Sequence, residues 1–116
     1  MIKSNSTFLY KEKDDGSFII SLEGEIDHHS AVSVRQEIDE LLLEKRPKRV
    51  YLDLSHISFM DSSGLGLIMG RYALLKDLGG TMILLNPALR VQKILNLAGM
   101  ERIIKIEKSG KGEEKK

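Results

Sequence analysis

The sequence contains no cysteine. That absence removes disulfides, thiolate metal sites and cysteine nucleophiles together, and it fits a reducing compartment. Long apolar runs are missing as well. The longest extend over four or five residues, far short of the ~20 that a membrane-spanning helix needs. Proline occurs only twice, and proline and glycine together fill 12 positions, which excludes collagen-like and low-complexity classes. Charge of one sign is not in excess: 18 basic against 17 acidic residues leave a formal charge of +1. No overall field therefore gathers nucleic acid or anionic lipid. The start, MIKSNSTFLYKEKDD, shows neither an apolar segment nor a small-residue cleavage site, so the expected location is cytoplasmic.

What is present is the composition of one globular domain. Of 116 residues, 41% are hydrophobic and 30% charged, and a chain of this length buries roughly two thirds of its unfolded surface. The end, Glu107 to Lys116, has no apolar residue and reads as a solvated tail behind a domain of residues 1–106. Without it the body holds 14 basic and 14 acidic side chains.

Strand and helix patterns alternate along that body. Thr7 to Lys11 and Ser17 to Leu22 flank Asp14-Asp15-Gly16 and predict a hairpin. Ala31, Val34, Ile38 and Leu41 have helical spacing after Ser30, a candidate N-cap. Val50 to Leu54 predicts a strand. Leu65, Ile68, Tyr72 and Leu75 mark a helix over Gly64 to Lys76. Thr81 to Leu85 is a nearly all-apolar strand. Pro87 is expected to open a third helix with Val91, Ile94, Leu95 and Ala98 inward and Gly99 as its stop. Ile103 to Ile106 is the last strand. This order implies an α/β fold, a mostly parallel sheet with an N-terminal antiparallel hairpin. Functional loops in such sheets lie where strands lead into helices, here Gly24–Ser30 and Ser55–Gly66.

The second loop ends Asp61-Ser62-Ser63-Gly64-Leu65-Gly66. Asp or Ser at a helix start caps free amides for about 1 kcal/mol. Capping accounts for one such residue, not three followed by glycines that each cost about 1 kcal/mol within a helix. Bare backbone there admits another molecule, and a phosphate would meet free amides and the positive helix end. Enzymatic patterns fail on spacing. The third glycine of Gly64-Leu-Gly66-Leu-Ile-Met-Gly70 is one place late for a dinucleotide loop, no Walker lysine follows, and neither serine sits in G-x-S-x-G. Nothing specifies a triad of Ser62, a histidine and Asp27, so no catalytic residue is assigned. Adjacent His28 and His29 lack a second ligand cluster, so no metal site and no cofactor are assigned. Lys45-Arg46-Pro47-Lys48-Arg49 lacks interleaved aromatics and reads as a charged connection, without direct DNA binding.

Together, Gly24-Glu-Ile-Asp-His-His29, Phe59-Met-Asp-Ser-Ser-Gly-Leu-Gly66, Gly70-Arg-Tyr72 and Gly79-Gly80 closely resemble the anti-sigma factor antagonists of the STAS domain family, and most closely their sporulation branch. The likeness covers about residues 6–106. It implies a STAS fold and a partner-switching protein that is not an enzyme. Unphosphorylated, it would capture the anti-sigma factor, a serine kinase with bound nucleotide, and so release the sporulation sigma factor F. Phosphorylation at Ser62 would end the capture, and a serine phosphatase would restore it. The resemblance further implies partner contacts at Asp27, Asp61, Ser63, Gly64 and Gly66. An adaptor of the same fold in another partner-switching or stressosome-like complex is the alternative. Family members commonly end in a further helix packed on the sheet, where this chain carries its polar tail.

Overall fold

Six strands form one sheet in the order of the sequence, β1 to β6. The computed structural model describes residues 2–4 and 8–108. β1 (Ile2–Ser4), β2 (Phe8–Glu12) and β3 (Phe18–Ile26) form an antiparallel meander. β4 (Arg49–Met60), β5 (Thr81–Leu85) and β6 (Lys105–Glu107) continue the sheet in parallel. The parallel strands are joined by α1 (His28–Lys45), α2 (Ser62–Asp77) and α3 (Leu89–Leu97), the last followed by a 3-10 turn at Met100–Arg102.

Local chemistry explains the hairpin. The Asp15 carboxylate accepts from the Ser17 amide at 2.9 Å and its hydroxyl at 2.6 Å, and Gly16 takes φ 88°, a conformation glycine adopts without penalty. From there the register places Tyr10, Ile20, Leu52 and Leu84 in one row across the sheet, beside a row of Phe18, Val50 and Met82. These residues share one core with Val34, Ile38 and Leu42 of α1, Ile68 and Leu75 of α2, and Val91 and Leu95 of α3. The three helices thus cover the same face, as successive right-handed crossovers between neighbouring strands require. α1 and α2 are also joined by Arg71, whose guanidinium lies 2.7 Å from the Asp39 carboxylate and donates to the Leu67 carbonyl at 3.2 Å.

The alternation of elements matches the sequence reading, with corrections at several boundaries. α1 starts at His28, and Asp27, not Ser30, is its N-cap. Ser30 is the third helical residue and reciprocates the cap, so both residue types answered the same local need. β4 runs six residues past Leu54 because His56, Ile57, Phe59 and Met60 pair with Glu23 to Ile26 of β3 across two register shifts. α2 begins at Ser62 rather than Gly64. α3 begins at Leu89, since Ala88 before it is extended at ψ 157° and Pro87 stands outside the helix. Ala98 is exposed rather than inward, because α3 ends at Leu97 and Gly99 turns away at φ 72°. The last strand is shifted to Lys105–Glu107, which brings Glu107 of the expected tail into the sheet. β1 was not anticipated. Thr7 and residues 109–116 lie outside the described residues.

Candidate functional site

Both motif loops end at the same edge of the sheet. Ile26 and Met60 are register partners at the C-terminal ends of β3 and β4, and the residue directly after each strand is an aspartate that caps a helix. The Asp61 amide donates to the Ile26 carbonyl at 3.3 Å, which joins the two loops directly. Asp27 and Asp61, separate in sequence, therefore stand side by side at the carboxyl ends of adjacent parallel strands, where sites in such sheets form.

Each aspartate caps its own helix through one carboxylate oxygen. The Asp27 carboxylate accepts from the Ser30 amide at 2.9 Å, and the Ser30 hydroxyl accepts from the Asp27 amide at 3.1 Å while donating to the Glu25 carbonyl at 2.9 Å. The Ser30 amide, followed by the Ser30 hydroxyl and the His29 amide, holds the Asp27 carboxyl below the usual carboxylate range against an opposing effect of desolvation. At the head of α2 the Asp61 carboxylate accepts from the Ser63 amide at 2.8 Å, and its carbonyl accepts from the Gly64 amide at 2.9 Å. With the cap supplied by Asp61, Ser62 is spared. It is the first residue of α2, it is exposed, and its hydroxyl makes no hydrogen bond among the described residues.

The two glycines of the motif differ. Gly64 is buried, and a Cβ there would lie 2.5 Å from the Met60 sulfur, closer still to Met60 Cγ, and 3.4 Å from Ile26. Its bare backbone lets α2 settle onto the end of β4. Gly66 is exposed and a Cβ on it would meet nothing within 4 Å. It faces a groove between α1 and α2 lined by His28, Val32, Arg35, Ser63 and Gly70, so its open backbone is presented outward. Spacing could not separate these roles, since one depends on Met60 reaching under the helix.

Among the described residues, no three His, Asp or Glu side chains gather as metal ligands, and no helix is long and apolar enough to cross a membrane. What the arrangement offers is a free hydroxyl on a helix N-terminus, framed by two occupied carboxylates and exposed backbone.

The chain belongs to the STAS domain family, whose model matches residues 9–111. It is 38% identical to the anti-sigma F factor antagonist of Paenibacillus polymyxa over 95 residues, 82% of this chain and 81% of the relative. To the anti-sigma F factor antagonist of Lysinibacillus sphaericus it is 37% identical over 82 residues, covering 71% and 70%. The anti-sigma-B factor antagonist of Bacillus subtilis is 29% identical over 101 residues, covering 87% and 91%. Among solved structures, the unphosphorylated anti-sigma factor antagonist SpoIIAA aligns with a TM-score of 0.76 at 29% identity, covering 93% of this chain and 94% of that one. The Bacillus cell fate determinant SpoIIAA in its phosphorylated form aligns with a TM-score of 0.69 at 28% identity, covering 93% of this chain and 97% of that one.

Proposed function

We propose that this protein is an anti-sigma factor antagonist, a cytoplasmic binding protein without chemistry of its own, switched at Ser62. The unphosphorylated form binds the anti-sigma factor, a nucleotide-bound serine kinase, and so frees sigma factor F. Phosphorylation of Ser62 ends that binding, and a serine phosphatase reverses it. The observation that carries the reading is the division of labour at the head of α2: Asp61 takes the cap, and the Ser62 hydroxyl is left exposed and unbonded among the described residues. The assignment to sigma factor F rather than sigma factor B is supported by the higher identity to the sigma F relatives.

The physics of the switch follows from that position. A phosphate adds roughly −1.5 to −2 charge and three acceptor oxygens. Inside the protein, the free amides and positive end of α2 offset part of the charge, so the fold is retained. Against a partner closed over the same spot, the group is bulky and costly to desolvate. Exclusion is direct, by size and charge. Asp27, Asp61, Ser63 and Gly66 surround Ser62 in the proposed contact, and Gly64 contributes by seating α2.

Incubation with the cognate anti-sigma kinase and ATP, followed by mass spectrometry, tests the assignment. One phosphate on Ser62 is expected; undiminished labelling of Ser62→Ala would falsify it.

A further inference from the structure

An ordinary protein–protein interface uses about 20–30 residues a side and buries about 800 Å² on each partner. The outward part of the Ser62 site is five residues: exposed Ser62 and Gly66 and half-buried Asp27, Asp61 and Ser63. A stable complex must continue onto a neighbouring element. The structure offers an apolar and basic one tied to Ser58, four residues before Ser62 and so separated from it by at most about 14 Å of chain.

That element is α3. Among the described residues six large apolar side chains are exposed, and two of them lie on α3, Leu89 at 75% and Leu97 at 89%. At about 100° per residue, Leu89, Lys93, Leu97 and Arg90 fall within an arc of about 100° on α3, turned away from buried Val91 and Leu95. Arg90 donates to the Ser58 carbonyl at 3.1 Å, which ties this arc to the end of β4. Ile57, Ser58, Leu89, Arg90 and Lys93 then line one open cleft. α3 contains two cations and no carboxylate. The groove on the other flank of the site presents a single exposed large apolar side chain, Val32.

Exposed leucines on a nine-residue helix contribute nothing to the core, and apolar surface gathered beside a binding site marks a docking area. We propose that the Leu89–Lys93–Leu97 face of α3 forms a second docking surface for the same anti-sigma factor that contacts Ser62, an inference that rests on the antagonist reading. The segment it takes carries apolar side chains flanked by carboxylates. The leucines supply the desolvated anchors, and Arg90 and Lys93 at the rim select the acidic partner and hasten encounter at low salt.

The test is titration calorimetry of the unphosphorylated full chain against the anti-sigma F factor of its source organism. Leu89→Asp and Lys93→Glu change exposed side chains, so circular dichroism melting should match the parent protein. Each is expected to weaken binding about tenfold or more, and Lys93→Glu to reduce the salt dependence of the affinity. Unchanged affinity in both variants, with Ser62→Asp still weakened, overturns the α3 surface and leaves the antagonist reading standing. Failure of the parent protein to bind overturns both.

Discussion

The Asp61 amide donates to the Ile26 carbonyl at 3.3 Å, so the residue that caps α2 is also the residue that pins the Ser62 loop to the end of β3. Backbone and side chain of Asp61 do different jobs: the first sets where the loop lies, the second satisfies the helix.

Asp61→Ala should therefore cost stability while keeping the backbone link. Loss of the bond to the Ser63 amide is expected to destabilise by about 1 kcal/mol, a fall in Tm of about 4 °C. Asp61→Asn should lose little, because asparagine caps as well. Thermal unfolding followed by circular dichroism distinguishes them; equal losses in both variants would count against capping.

Gly64 and Gly66 should respond to alanine with opposite signs. At Gly64 the added methyl runs into buried Met60, and overpacking of that kind costs about 1–3 kcal/mol. At Gly66 nothing lies within 4 Å, so alanine gains helix propensity worth up to about 1 kcal/mol while obstructing the partner. Urea unfolding combined with affinity measurement reads both. A stable Gly64→Ala variant would show that Met60 can move aside.

Substitution at Ser62 separates charge from size. Ser62→Asp is expected to weaken binding to the anti-sigma factor about tenfold or more, because the partner must desolvate an added carboxylate. Ser62→Ala should retain binding, since the hydroxyl makes no bond among the described residues that its loss would break. Equal calorimetric affinities for the two would sink electrostatic exclusion. Backbone shifts of several ångströms between phosphoforms would point to refolding instead.

Acid sensitivity should trace in part to Asp27. Its folded carboxyl is held below the usual carboxylate range, chiefly by the Ser30 amide. A group depressed on folding stabilises above its unfolded pKa, and that contribution is lost as pH falls through the folded value. Tm measured between pH 6 and pH 2 should fall less steeply for Asp27→Asn than for the parent chain. Parallel curves would remove Asp27 from the account.

Helices and strands were legible because their apolar positions recur at local periods: Val34, Ile38 and Leu41 on α1, and the nearly unbroken TMILL of β5. The motif was legible because Asp-Ser-Ser-Gly-Leu-Gly is contiguous. The second half of β4 was not. Ser55, His56, Ser58 and Phe59 are exposed there and show no strand period, and they are extended because Glu23 to Ile26 pair with them.

By itself, then, the sequence determined the alternation of elements, the hairpin turn at Asp15-Gly16 and the position of the exposed serine in its motif. Each of these depends on neighbours within a few residues. Tertiary structure alone decided that Asp27 and Asp61 stand side by side, that Gly64 is committed to packing while Gly66 is open, and that Arg90 ties the exposed face of α3 to Ser58 at the end of β4. Those facts depend on strand register and on what lies beneath a helix, contacts between residues that local periodicity cannot relate.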